Sequence, residues 1–441
     1  MSSTLAGDIS GGTIYRGYAY SYPHKTTHRP LDPHVALDEL WATENRDALS
    51  LYIHVPFCRS RCGYCNLFAL PDPDDETTGR YIQVLARQAR RVRESLAQAS
   101  FARLAIGGGT PSCLDTRQLT ELFRIAADVM GVNLHQTPTS IEASPTTVTP
   151  ELMRLLAERG VDRLSIGVQS FSPQECKALG RPQARQDVRR ALQLARRAGP
   201  PTLNLDLIYG IPGQTRASWL ASVEQALAYE PDELYLYPLY IRPVTAMCEQ
   251  ETHCDSERLE AYRLGRNVLA GAGYEQVSMR MFRKPSGACS QGPAYSCQSD
   301  GMIGLGCGPR SYTRTLHYSG PYAVSRLGMG MILAEYLARD DDSFARADFG
   351  IRLDGQDQRR RYVIQSILQC GGLDRADYRD RFDSDVLADL PELTCLATEG
   401  LAQVGVERIR LTEAGIERSD AIGPGLYSPK VQRLMEEYRW R

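Results

Sequence analysis

The chain is short of most features that mark a specialised class. Lys and Arg number 51 against 53 Asp and Glu in 441 residues, so no charge excess points to nucleic acid as a partner. No uninterrupted apolar run approaches the roughly 20 residues of a membrane span. The opening MSSTLAGDISGG lacks the charged-then-apolar order of a secretory signal. A cytoplasmic protein with no membrane partner is the expectation. Repeats and low-complexity tracts are missing too. The 12 cysteines are too thinly spread for a small disulfide scaffold, yet Cys58, Cys62 and Cys65 crowd together. With 42% hydrophobic residues, a large core is affordable.

Residues 1–47 are rich in Tyr, His and Pro without helical or strand period, which reads as an extended arm laid on the body. From Leu49 onward, short apolar runs (SLYIHV, FARLAIGG, TSIEAS, DRLSIGV, TLNLDLIYG, DELYLYPL) alternate with amphipathic segments such as TGRYIQVLARQARRVRESLA and RQDVRRALQLARRA. That alternation predicts an α/β fold, a partial (β/α)6 TIM-type barrel, over residues 48–325. After Pro243 the alternation weakens, and the Cys- and Gly-rich stretch from Gly287 to Gly308 reads as loops near a site. Residues 326–441 turn mostly helical and read as a small C-terminal domain, with RIRLTEAGIERSDAI as a candidate hairpin wing.

The run Leu51-Tyr-Ile-His-Val-Pro-Phe-Cys58-Arg-Ser-Arg-Cys62-Gly-Tyr-Cys65 ends a predicted strand and places three thiols on one loop. A structural zinc site takes four ligands, and Asn66, Leu67, Phe68 and Ala69 supply none. Three thiolates suit an iron-sulfur cube with one iron left open. The spacing C-x3-C-x2-C resembles that of the radical S-adenosylmethionine (SAM) superfamily. Further motifs are Tyr52-Ile-His54-Val-Pro56-Phe57, Gly107-Gly108-Gly109-Thr110-Pro111-Ser112, Glu142-Ala-Ser-Pro145, Ser165-Ile-Gly167-Val-Gln169-Ser-Phe171 and Asn204-Leu-Asp206-Leu-Ile-Tyr209-Gly210-Ile-Pro212-Gly213-Gln214-Thr215. Together they resemble the HemN-like family, named for oxygen-independent coproporphyrinogen III dehydrogenase, over about residues 50–320.

That resemblance implies a [4Fe-4S] cluster on Cys58, Cys62 and Cys65 and two SAM molecules as cofactors, with a small-molecule substrate and a reductant such as flavodoxin or ferredoxin as partners. In the family, the open iron chelates the amino and carboxylate groups of SAM, and an electron from the cluster yields methionine and a 5′-deoxyadenosyl radical. Tyr52, Gly108 and Glu142 match contacts to the first SAM, Glu142 through the ribose hydroxyls. Gly109, Thr110, Gln169, Arg181 and Asp206 match contacts to the second, with Arg181 fitted for a carboxylate and Asp206 for an ammonium. Tyr64 matches an aromatic on the adenine side. Tyr240 and Arg310 align with further SAM contacts but differ in residue type. The glycine triplet by itself reads either as a tight turn or as backbone open to a ligand.

His54 reads as a structural histidine, and most of the nine other cysteines as apolar fillers, with Cys289, Cys297 and Cys307 the alternatives for an auxiliary ligand or reactive thiol. Tyr237, Tyr240 and Arg242 read as core or as facing the substrate, and Tyr15, Tyr18, Tyr20, Tyr22, His24 and His28 of the arm as a lid or as packing. Leu67 stands where the family's founding member carries an additional cysteine. Tyr295 to Gly306 departs from the haem-chaperone pattern. The expectation drawn is a radical SAM enzyme of the class C type, transferring a methyl or methylene carbon to an sp2 carbon of an aromatic or unsaturated substrate, by C-methylation or cyclopropanation. The alternatives are oxidative decarboxylation of the coproporphyrinogen III type and a haem-binding chaperone without catalysis.

Overall fold

The structure, a computed structural model, describes residues 13–19, 21–181, 183–249, 254–285 and 296–440. An edge strand β1 (Arg29–Ala36) precedes β2 (Leu49–Val55), and a ribbon of β3 (Phe57–Cys58) with β4 (Leu70–Pro71) closes the cysteine loop. Then come β5 (Phe101–Gly108), β6 (Thr139–Ala143), β7 (Arg163–Gln169), β8 (Thr202–Tyr209) and β9 (Glu233–Pro238). These five follow β2 in spatial as well as chain order, all parallel. They are the six predicted strands, and the chain is a partial (β/α)6 barrel. Its crossover helices are written plainly in the sequence. In Asp75–Leu96, Asp74 caps the first turn by accepting from the Thr77 N–H, and Tyr81, Ile82, Leu85, Ala89, Val92 and Leu96 are buried at helical spacing.

The sheet extends beyond these six. On one side β9 pairs antiparallel with β11 (Met281–Arg283), which pairs with β10 (Glu275–Gln276). On the other, β12 (Met302–Leu305) lies parallel to β2 as a seventh barrel strand, followed by antiparallel β13 (Arg310–Tyr312), β14 (Leu316–Ser319), β15 (Arg346–Arg352) and β1. The stretch Gly287 to Gly308 read as loops, so β12 corrects that reading, while its residues up to Tyr295, Cys289 included, lie outside the described residues. The cause is local. Gly304 interrupts a four-residue strand because a Cβ there would meet the Arg310 carbonyl oxygen at 2.3 Å, and so short a run carries little strand signal.

Beyond residue 325 lie helices Arg326–Ala338, Gly355–Ile367, Arg375–Phe382 and Glu392–Thr398, with a small sheet of β16 (Leu373–Asp374), β17 (Ala402–Val404) and β18 (Arg408–Leu411). The proposed wing is half right: β17 and β18 form the hairpin, but Glu413–Ile416 and Ser419–Gly425 are helical.

The arm is more ordered than its composition suggests, since residues 29–36 pair with β15. Upstream it runs across the open side of the barrel; Tyr20 lies outside the described residues. Tyr15 meets Tyr209 edge-on at 6.2 Å, Tyr18 meets Tyr237 at 6.4 Å, and Ser21 accepts from Arg310 Nη1. The C-terminal helices hold the arm from outside. Tyr22, fully buried, donates to Asp357 Oδ1 at 2.8 Å, which also accepts from Ser428, while Lys430 donates to Asp357 Oδ2 at 2.9 Å. Arg280 and Asp420, 4% and 1% exposed, pair at 2.5 Å beneath the Tyr18 ring. Removing one partner of such a buried pair costs about 3–5 kcal/mol.

Burial holds four histidines neutral. His28 is pushed down to about 3 and His54 to about 4, and His24 and His317 fall well below the usual value, desolvation being the main cause in each. Below pH 6.5 the unfolded chain therefore binds more protons at these sites than the folded one. Glu44, Glu142 and Asp206, all raised by burial, act in the opposite sense but are fewer. The urea midpoint is expected to fall steadily from pH 6.5 to 5; a flat or rising midpoint would contradict the burial of these rings.

Candidate active site

A barrel with a purely structural interior fills it with branched apolar side chains. Here the inward positions are polar. Along β7 they are Arg163, Ser165, Gly167 and Gln169, along β8 Asn204 and Asp206, and along β9 Glu233, Tyr235 and Tyr237, placed side by side by the register. Arg163 Nε donates to Glu233 at 2.7 Å, and Asn204 Nδ2 donates to Ser165 Oγ at 2.7 Å and Asp206 Oδ1 at 2.9 Å. Tyr235 stacks on Tyr237 at 5.7 Å. Polar side chains therefore line the lumen and bond to one another across neighbouring strands. At its C-terminal mouth the strand ends carry the motifs.

The cysteine loop leaves β2 and returns through β4, pinned by Leu70 N–H to Pro56 O and Asp72 N–H to Cys58 O, both at 2.8 Å. His54, on the inner face of β2, fastens the loop's far end through Nε2 to Phe68 O at 2.9 Å, so the ring is structural. Gly63 ties the loop to the segment after β7 by an N–H bond to Leu179 O at 2.8 Å. The thiols of Cys58, Cys62 and Cys65 are free, and each has a donor. Thr110 Oγ1 lies 3.4 Å from Cys58 Sγ, Arg181 Nη1 donates to Cys62 Sγ at 3.2 Å, and the Leu67 N–H and Arg61 serve Cys65. Among the described residues no three ligand side chains converge on one ion; on a cube each thiolate takes its own iron. The donor set therefore fits a [4Fe-4S] cluster with three protein ligands. Desolvation pushes Cys58 up to about 12 and also raises Cys65, so metal charge has to displace the protons on binding.

Gly107, Gly108 and Gly109 end β5, and their glycine character has a protein-on-protein cause. A Cβ at Gly107 would sit 2.9 Å from the Glu142 carboxyl, one at Gly108 (φ +116°) 2.5 Å from the His54 ring, and one at Gly109 2.4 Å from Phe57 O. The triplet lets the glycine strand end nest against the cysteine strand and Glu142. Glu142 Oε2 accepts from the Gly108 N–H at 3.1 Å. This carboxyl is exposed to water yet walled in by the barrel, and that enclosure raises it to about 7; the Gly108 bond opposes the rise and Asp206 adds to it. Gln169 ends β7 at φ +68° where the register slips, a strained conformation of the kind found at functional sites. Arg181 reaches back to Gly167 O, Gln183 Oε1 and Cys62.

The structure thus brings Cys58, Cys62, Cys65, Gly108, Gly109, Thr110, Glu142, Gln169, Arg181 and Asp206 to one mouth. Tyr64 packs there beside Leu179 and Met247, and its hydroxyl bonds Cys62. Tyr52 lies deeper on the same face, its hydroxyl 3.4 Å from His54 Nδ1. Tyr240 is engaged elsewhere, hydrogen-bonded to Asp420 and Arg280. Cys307 is buried with Sγ toward Ile332 O at 3.8 Å.

Sequence reading missed the lumen residues Arg163, Asn204, Glu233 and Tyr235. Their signal was available: parallel strands normally read as continuous apolar runs, whereas β7 to β9 alternate polar residues at period two. Also missed was Glu175, 3% exposed, which accepts from Ser170 and from Gln214 Nε2 at 3.0 Å while Gln214 Oε1 holds the Gly210 N–H at 2.8 Å. This buried set braces the loops after β7 and β8.

The profile of the radical SAM superfamily matches residues 52–226. The oxygen-independent coproporphyrinogen III oxidase of Pseudomonas aeruginosa is 29% identical over 453 residues, covering 95% of this chain and 96% of that protein. The heme chaperone HemW of Escherichia coli is 32% identical over 269 residues, 59% of this chain and 69% of that protein. The solved coproporphyrinogen III oxidase HemN of Escherichia coli superposes with a TM-score of 0.79 at 24% identity, over 93% and 97% of the two chains. These findings overturn the expectation of methyl or methylene transfer by a class C enzyme: the relatives carry oxidase and chaperone names. The reason lies in the motifs, which build the SAM reagent and say nothing of its use. Leu67, 46% exposed at the loop surface, lies outside the three-thiol set, so its departure from the oxidase pattern leaves that set intact.

Gly108→Ala is expected to cost about 1–3 kcal/mol by overlap with His54 and about as much again by backbone strain. Urea denaturation would register the loss, and the reconstituted protein should hold less iron. A variant of wild-type stability and iron content would refute the packing account of the triplet.

Proposed function

The chain belongs to the HemN-like family of the radical SAM superfamily, and on that premise we propose that it is an oxidative decarboxylase of a propionate-bearing tetrapyrrole, of the coproporphyrinogen III type. The observation that carries the reading is the end-to-end match to the Pseudomonas aeruginosa oxidase, which takes in the arm and the C-terminal helices as well as the barrel. The cofactors are a [4Fe-4S] cluster and SAM; bound together they would supply the hydrogen-abstracting power, and loss of a hydrogen atom, CO2 and one electron from a propionate chain, the electron passing to an external acceptor, would leave a vinyl group.

In this reading the chain's own residues divide the labour. Cys58, Cys62 and Cys65 hold the cluster, and the rim of Tyr52, Gly108 and Glu142 holds the SAM beside it. Gln169 and Asp206, with Gly109, Thr110 and the Arg181 guanidinium, form the place for a second SAM, Asp206 facing its ammonium. Tyr64 packs on the adenine side. The described residues of the arm, 13–19 and 21–47, wall the open side, the barrel carries the chemistry and the C-terminal helices buttress the wall. Cations gather where the arm meets the barrel: Lys25 of the arm, Arg310 of β13 and Arg242 after β9 all bear on His24, and Arg242 stacks on Tyr240 at 4.9 Å. A cationic rim suits a substrate bearing several carboxylates. A flavodoxin or ferredoxin serves as reductant.

Anaerobic incubation with coproporphyrinogen III, SAM and dithionite is expected to give a vinyl product with CO2, 5′-deoxyadenosine and methionine. Asp206→Asn should lower kcat/KM about 10- to 100-fold, the worth of a charge-assisted hydrogen bond of about 1.5–3 kcal/mol. Stoichiometric haem binding with little SAM cleavage, or S-adenosylhomocysteine as product, would sink the reading.

A further inference from the structure

Arg181 does more in this structure than line a ligand pocket. Its Nη1 donates to Cys62 Sγ at 3.2 Å, its Nη2 donates to Gly167 O, and its Nε donates to Gln183 Oε1 at 3.1 Å. Gln183 is held in turn by its Nε2 donating to Val168 O at 3.0 Å. The guanidinium is therefore fixed in orientation before any ligand arrives, with one N–H committed to a sulfur that ligates iron. The three thiols differ in their donors: Cys65 takes the Leu67 N–H and the Arg61 side chain, which also donates to the Cys65 carbonyl at 3.0 Å. Cys58 has a weak hydroxyl contact to Thr110 at 3.4 Å, whereas Cys62 has the guanidinium and the Tyr64 hydroxyl.

We propose that Arg181 is a redox-tuning residue, a positioned cation whose bond to Cys62 Sγ raises the reduction potential of the cluster. Reduction adds one electron, and hence one negative charge, to a centre already negative once three thiolates bind it. A positive donor on a ligating sulfur stabilises the reduced form more than the oxidised one. The inference rests on the three-thiolate cluster and is independent of the substrate.

The test uses the full chain reconstituted anaerobically with iron and sulfide, without SAM or substrate. The one-electron reduction by dithionite is followed by electron paramagnetic resonance against measured potential. In Arg181→Gln the midpoint should move to more negative potential, so that at the wild-type midpoint the reduced-to-oxidised ratio drops about tenfold, the weight of one charge-assisted hydrogen bond. Arg181→Lys keeps the charge but loses the fixed fork, and should shift less in the same direction. Iron and sulfide content should match wild type in both. An unchanged midpoint in a fully loaded Arg181→Gln protein would overturn the proposal. So would loss of the cluster from both variants, which would place the side chain in assembling the site. Because no substrate is present, either failure leaves the decarboxylation reading standing.

Discussion

Six strands and their helices make an incomplete barrel, and an incomplete barrel has an open side through which water reaches a polar lumen. The arm and the C-terminal helices cover that side. The arm crosses it with Tyr15, Tyr18 and Ser21 against β8, β9 and β13, and the C-terminal helices clamp the arm through two buried charged groups, Asp357 on Tyr22 and Asp420 on Arg280. Neither carboxylate would survive burial alone; each is kept by a cation and several hydrogen bonds. Closure has a chemical purpose, because a site that generates a carbon radical must exclude solvent and oxygen while it is charged with reagent.

The cysteine loop depends on that enclosure and on its own backbone anchors. His54 holds Phe68, the β3–β4 ribbon holds both ends, and Gly63 is tied to Leu179, so backbone and side-chain bonds of the protein itself anchor the loop that carries the three thiols. The glycine triplet belongs to the same scaffold. Its lack of side chains brings β5 against β2 and against Glu142. Glu142, Asp206 and Arg181 then share one wet but enclosed mouth, where desolvation strengthens every charge interaction.

Some of this was legible from residue order and some was not. The six strands and their helices were, because each is a local pattern of apolar spacing, caps and breakers. The shared loop of Cys58, Cys62 and Cys65 was, because the three thiols are close neighbours along the chain. β12 was hidden by Gly304, and β1 by Pro30 and Pro33 in a segment of mixed polarity. The reaction was misread as carbon transfer because Cys58 to Asp206 specify how a radical is made and leave its target to other surfaces.

What the sequence by itself determined is the set of short-range facts: three thiolates at cluster spacing, glycines where a strand end must pack closely, and the strand-helix alternation of a parallel barrel. Only the tertiary structure decided that Arg163, Asn204 and Glu233 line a lumen, that Tyr240 is tied to Asp420, that Arg181 reaches Cys62, and that the arm is a wall. Those contacts join residues up to some hundreds of positions apart. Their partners are chosen by where the strands bring side chains in space, and no local pattern along the chain encodes that choice.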